Sequence, residues 1–171
     1  MNIRAKKIII DTNVITDLDR ACILKEFISL DNVYMCDLVK NDEINFKTGN
    51  VEIISEFKVM SVTPSQLIEV SSLSLIEKKL SIYDLLNYVV ARDNDCVLAT
   101  GDSRLKSYCE NNGVLVFRTL KIIRLMIEQN VITKKKAIAA CKLLLADNST
   151  RIPKENIENL IDEFERDLVV T

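Results

Sequence analysis

The sequence predicts an α/β protein in which a parallel β-sheet lies between layers of helices, with further helices after the last strand. Three observations lead there. Short apolar or β-branched runs alternate along the chain with longer stretches of helical periodicity. Most of those runs lack the polar alternation of a one-sided sheet, which marks strands buried on both faces. Only three glycines and two prolines occur in 171 residues, so the connections between elements are expected to be short.

Strands are expected over about 6–10, 33–36, 57–62, 96–100 and 114–117, apolar or β-branched runs of which most are continuously apolar. Helices are expected between them over 13–29, 38–47, 64–78, 82–93 and 103–112, with 119–130, 133–146 and 153–168 following the last strand. Asp37 is a plausible N-cap for the second of these, and Ser81-x-x-Asp84 matches a capping box. Pro64 and Pro153 suit first-turn positions, and Gly113 stands where a helix would end before the final strand. The architecture is a three-layer α/β/α sandwich with C-terminal helices.

Length and composition bound the function. At 171 residues and 48% apolar the chain suffices for one core and one globular domain. No run approaches the roughly 20 apolar residues of a membrane span. Residues 1–7 are too short and polar for a secretory signal, so a cytoplasmic protein is expected. The five cysteines (Cys22, Cys36, Cys96, Cys109, Cys141) form no Cys-x-x-Cys pair and read as small buried hydrophobes, implying neither zinc nor disulfides. Histidine is absent, which removes the commonest general base and the usual Ser-His and Cys-His pairs. Chemistry must then rest on carboxylates, Lys, Tyr, Cys or a metal.

The net charge of −2 conceals a segregation. Residues 118–151 carry eight basic and two acidic side chains, whereas residues 152–171 carry two and six. The basic block includes Arg118, Lys121, Arg124 and the run Lys134-Lys135-Lys136. It is either a phosphate-binding patch or the solvated face of C-terminal helices.

Four acids stand out. Asp11 ends the aliphatic run Ile8-Ile9-Ile10, and Asp102 follows Thr100-Gly101 at the end of another buried run. The carboxyl ends of parallel strands are where open α/β sheets bind ligands, and converging carboxylates suit a hard cation. Each could instead cap the helix that follows it. Gly101 permits close backbone approach beside Asp102. Asp84 points toward the same sheet edge from the start of its helix if it is not merely the capping-box acid. Glu43 lies one helical turn from Val39, on a stripe otherwise facing the core, with Asp42 as the alternative acid.

In this combination the residues resemble a PIN-domain protein. The resemblance rests on Ile8-Ile9-Ile10-Asp11-Thr12-Asn13, on an acid within Val39-Lys40-Asn41-Asp42-Glu43-Ile44, on Leu80-Ser81-Ile82-Tyr83-Asp84, and on Leu98-Ala99-Thr100-Gly101-Asp102-Ser103-Arg104-Leu105. It covers roughly residues 6–130, and the stretch from Gly113 to Leu120 is similar to the end of bacterial VapC-like toxins. Residues 1–130 then form a PIN-like domain, with 131–171 as a helical extension packed on it.

The resemblance implies a sheet of order 3-2-1-4-5 and a metal-dependent ribonuclease using Mg²⁺ or Mn²⁺. Asp11, Glu43, Asp84 and Asp102 match the acidic cluster that binds metal and carries catalysis, and Asn13 matches the residue supporting the first acid. It also implies an RNA substrate, a small antitoxin partner and a homodimer. Lys134, Lys135 and Lys136 are candidate RNA contacts. Many family members carry a further acid shortly after the last Asp, where Arg104 and Leu105 stand here. The alternative is therefore a PIN-fold protein that has lost catalysis and acts by binding RNA or a protein. Two other phosphoryl chemistries are disfavoured: Asn13 replaces the second acid of the haloacid-dehalogenase Asp-x-Asp, and no P-loop motif occurs.

Overall fold

The computed structural model describes residues 6–44 and 55–169. Its sheet has five parallel strands, β1 (Ile8–Ile10), β2 (Val33–Cys36), β3 (Lys58–Met60), β4 (Val97–Ala99) and β5 (Val116–Phe117), in the order β3-β2-β1-β4-β5. β1 is central, and all three of its isoleucines are fully buried, as a strand covered on both faces requires. The chain winds outward from β1 to β3 and then returns to β4 on the other side of β1. The order therefore reverses between β1 and β4, the position where such sheets open a crevice at their carboxyl edge.

Helices α1 (Thr12–Arg20), α2 (Leu24–Ile28), α3 (Asp37–Val39), α4 (Pro64–Ile76), α5 (Ile82–Asp93), α6 (Ser103–Asn111), α7 (Thr119–Glu128), α8 (Lys134–Ala146) and α9 (Lys154–Val169) complete three layers. The most enclosed is α5, buried continuously from Leu85 to Ala91, which packs on β1, β2 and β4 and against α4 and α6. Helix α1 packs against α7 and α8, and α9 lies along α8, so the C-terminal helices rest on the rest of the fold. Among the described residues no helix is long and apolar enough to cross a membrane.

Differences from the expected elements have local causes. The helix expected over 13–29 breaks at Cys22, which adopts φ 55°. There the Cys22 N–H donates to the Asp19 carbonyl (2.9 Å) and the Ile23 N–H to the Leu18 carbonyl (3.0 Å), a Schellman ending that buries Ile23 against Leu18. Helices α5, α6 and α7 end alike, with Asp95, Gly113 and Asn130 in the left-handed position. Only Gly113 announces itself in the sequence. The helix expected over 38–47 is a single turn followed by a wider π-type turn over Lys40–Ile44; its last three residues lie outside the described ones. Asp37 does not precede that helix as a cap but begins it, and its Oδ1 accepts from the Leu38 N–H (2.8 Å) and, across to the exit of β3, from the Val62 N–H (3.2 Å). Pro64 is at a first-turn position behind a Thr63–Gln66 capping box. Pro153 stands one residue ahead of α9, and its carbonyl accepts from the Asn156 N–H (3.0 Å).

Charge segregation turns out to be complementary within the chain. Acidic α9 meets basic α7 and α8 through a bidentate Arg124–Glu163 pair (2.7 and 2.6 Å), Lys134–Asp167 (3.1 Å) and Lys142–Glu165 (2.9 Å). These partly exposed pairs orient the helices more than they stabilise them. Cys36, Cys96, Cys109 and Cys141 are buried free thiols as expected, but Cys22 is exposed because it sits at a helix end.

Cys22 gives a direct test of the helix break. A left-handed non-glycine residue costs about 1–2 kcal/mol, while glycine costs about 0.5–1 kcal/mol more chain entropy on folding. Cys22→Gly should raise the urea-unfolding free energy by about 0.5 kcal/mol and Cys22→Val should lower it. The opposite ranking would show that the left-handed turn is not what ends α1.

Candidate functional site at the carboxyl edge of the sheet

A wholly aliphatic central strand that runs straight into a carboxylate demands a partner for it. Asp11 is 4% exposed. Its backbone carbonyl starts α1 by accepting from the Val14 and Ile15 N–H groups, but its side chain makes no cap bond. Instead Oδ2 accepts from the Thr100 hydroxyl (2.7 Å) and, at a longer 3.3 Å, from the Asn13 amide. The parallel register Ile10↔Ala99 dictates this meeting, because the next residue on each strand is Asp11 and Thr100.

Thr100 is fully buried and its hydroxyl works in both directions. It donates to Asp11 and accepts from the Asp102 N–H (3.1 Å), so one side chain positions two of the expected acids. Nothing in the sequence singles Thr100 out. Its role follows only once β1 and β4 are known to be neighbours. Gly101 proves less demanding than expected, since a Cβ there would meet Asn13 Cβ at an ordinary 3.5 Å.

Asp102 and Asp84 serve as caps and yet keep capacity in reserve. Asp102 Oδ1 accepts from the Arg104 and Leu105 N–H groups (2.7 and 2.9 Å), which starts α6. Asp84 Oδ2 accepts from the Ser81 N–H (2.8 Å), and the Ser81 hydroxyl accepts from the Asp84 N–H (3.0 Å). Among the described residues, Asp102 Oδ2 and Asp84 Oδ1 accept no hydrogen bond, and both side chains are half-buried. Asp84 and Asp11 also converge electrostatically on the buried Cys109 thiol. Burial, then Asp84, Glu110 and Asp11, push its pKa up to about 12.

The fourth acid is Glu43. Its backbone belongs to the wide turn over Lys40–Ile44, so the 3.6-residue spacing that relates it to Val39 does not hold there. Its side chain lies outside the described residues; Asp42 is exposed. Among the described residues no three Cys, Asp or Glu side chains are grouped as metal ligands. The donors that do meet at this edge are all hard oxygens, the type that suits Mg²⁺ or Mn²⁺.

Beyond Asn13 and Asp102 opens a cleft of about 890 Å³, walled by α1, the first turns of α6 and α7, and the segment from Ser149 to Leu160. Near its base Asp17 accepts a 2.7 Å hydrogen bond from the buried Thr119 hydroxyl, tying α1 to α7. Burial holds the Asp17 carboxyl above the usual carboxylate range, against the opposing pull of Thr119, Arg20 and Arg118. Five arginines line the cleft. Lys134, Lys135 and Lys136 do not: Lys134 meets Asp167, Lys136 pairs with Glu26, and Lys135 is exposed.

No protein-family model matches this chain, and no curated protein matches it.

Two substitutions probe this edge. Thr100→Val removes a donor from buried Asp11 and an acceptor from the Asp102 N–H, and should cost about 1–3 kcal/mol in urea unfolding; Thr100→Ser should recover most of it. Asp17 gives a pH test. With its folded pKa above the unfolded one, its contribution is fully present below the unfolded pKa and is lost as pH rises through the folded value. Asp17→Asn keeps an acceptor for Thr119 without ionising. It should stabilise the fold at pH 7 and lose that advantage on acidification, as followed by urea melts across pH.

Proposed function

We propose that this chain is a metal-dependent endoribonuclease of PIN type, the toxin of a toxin-antitoxin pair, which hydrolyses RNA phosphodiester bonds with Mg²⁺ or Mn²⁺. The observation that carries the reading is Asp11, a buried carboxylate at the end of the central strand whose side chain caps nothing. It supports a ligand role, because Thr100 and Asn13 hold this carboxyl at the carboxyl edge of the sheet, where open α/β sheets bind ligands. The uncommitted oxygens of Asp84 and Asp102 support it further, and Glu43 joins the set on the resemblance alone.

A hard divalent ion bound by such oxygens supplies an activated water and neutralises charge on the scissile phosphate. The chain's own groups prepare the place. Thr100 and Asn13 hold Asp11 Oδ2 and so fix its rotamer. The caps of α5 and α6 hold Asp84 and Asp102 at the same edge by one oxygen each. With no histidine in the chain, proton transfer falls to carboxylates and solvent.

A cytoplasmic location, a homodimer and an antitoxin partner belong to this proposal by resemblance. The strongly exposed Ile68, Leu75 and Ile76 of α4 offer apolar surface that a protein partner would cover. The second reading, a PIN-fold binding protein without catalysis, is favoured by Arg104 and Leu105 standing where a further acid is common, and by the cap bonds that already occupy Asp84 and Asp102.

Cleavage of RNA by the purified protein with Mn²⁺ or Mg²⁺ decides between them. Wild type should cleave and Asp11→Asn should not, while remaining as stable as wild type or slightly more so without metal. Equal cleavage by Asp11→Asn would sink the site assignment. Glu43→Gln should lose far more activity than Asp42→Asn, and the reverse would exchange their roles. Millimolar Mn²⁺ should raise the Tm of wild type but not of Asp11→Asn, since a ligand that binds only the folded state stabilises it. No cleavage and no Mn²⁺ shift in wild type would favour the binding protein.

A further inference from the structure

The five arginines of the cleft are not equivalent. Arg124 is held bidentately by Glu163, and Arg20 Nε meets Asp147 Oδ2 at 3.2 Å, so both are neutralised within the fold. Arg118 donates only to uncharged acceptors, the Gly101 carbonyl (2.9 Å) and the Ser103 hydroxyl (3.4 Å), and forms no ion pair, although its charge acts on the Asp17 carboxyl. Arg104 and Arg151 are exposed, and among the described residues their side chains have no partner at all. Arg104 starts α6 beside Asp102, whereas Arg151 comes from the segment leading into α9. The uncompensated guanidiniums thus stand on two different walls of one cleft, and that cleft begins at the acidic edge.

We infer that this cleft is the track for the backbone of single-stranded RNA, with Arg104, Arg118 and Arg151 binding its phosphates. The inference rests on the nuclease reading for its substrate. Guanidinium forks match phosphate oxygens bidentately, which a point-charge lysine does not. The remaining walls carry amides, including Asn156 and Asn159, beside the apolar Leu120, Ile152, Pro153 and Leu160 and no aromatic side chain. A surface with three arginines free of ion pairs and with amides suits sugar and phosphate, and without an aromatic ring it offers no stacking platform for bases. The helical extension after residue 130 then has a function, because Arg151 and the α9 amides belong to it.

The test is binding of a labelled, unstructured oligouridylate to the full chain in EDTA, where no cleavage intervenes. Arg104→Gln/Arg151→Gln should bind at least ten-fold more weakly at low salt. Its slope of log affinity against log salt should flatten by about 1.4, at about 0.7 for each phosphate that it no longer neutralises. Lys6→Gln/Lys58→Gln removes the same charge at the opposite edge of the sheet, where these lysines pair with Asp95 and Asp31, and should leave the slope unchanged. An unaltered affinity and slope in the arginine variant, or equal weakening in both variants, overturns the cleft. So does tighter binding of an oligoglutamate than of RNA, abolished in the arginine variant, which would assign the cleft to an acidic protein segment. Binding that behaves as expected in a protein that never cleaves with Mn²⁺ retains the cleft and removes the nuclease reading; cleavage with an unaltered salt slope does the reverse.

Discussion

The hydrogen bond from Thr100 to Asp11 is the constraint on which the rest of the carboxyl edge depends. It joins the ends of β1 and β4, the two strands between which the winding of the sheet reverses, and it does so with a carboxyl group buried behind three isoleucines. The same hydroxyl accepts the Asp102 N–H, so the start of α6 is referenced to the end of β1 rather than floating on its own loop. A single oxygen thereby transmits the position of the central strand to the second acid. Moving Asp11 would move the helix that carries Asp102 and Arg104, and with it one wall of the cleft.

Capping and ligand roles are often treated as exclusive explanations of an acid at a helix start. Asp84 and Asp102 show why they need not be. A carboxylate has two oxygens, and the backbone donors of a first turn satisfy one while fixing the direction of the other. The cap restricts the rotamer, so an oxygen that later meets a cation or a phosphate has little orientation left to lose. Asp11 differs because its cap is made by backbone alone, which leaves its carboxylate to face Thr100 and Asn13.

The strand pattern was legible because continuous apolar runs such as Ile8-Ile9-Ile10 leave few alternatives in a chain of this length, and the strand order followed from the resemblance. The helix break at Cys22 was not legible, since its signal is a buried Ile23 that must turn back onto Leu18, a tertiary demand without glycine or proline to mark it. Asp11, Asp84 and Asp102 could be read from their places at element ends. Thr100 could not, because its importance lies in a partner 89 residues away. The Lys134–Lys136 run is a block of charge in the sequence, yet two of its members are spent on Asp167 and Glu26. The cleft arginines that form no ion pair are dispersed over residues 104, 118 and 151, where no window of sequence brings them together.

Charge in this molecule is therefore sorted by folding rather than by sequence position. Acidic α9 cancels much of the basic block on α7 and α8, and Asp147 cancels Arg20, so an overall charge near neutrality coexists with a local excess of guanidinium. Part of that excess lines a cleft whose inner end is acidic. Such a gradient has a physical use: a polyanion is attracted along the walls but repelled at the end, unless a cation bridges the two. Attraction and chemistry would then be separable, with arginines holding the strand whether or not the carboxylates are loaded. The helical extension that looks peripheral in the sequence is what closes this arrangement, because the segment leading into α9 supplies Arg151 and α9 itself supplies Asn156 and Asn159.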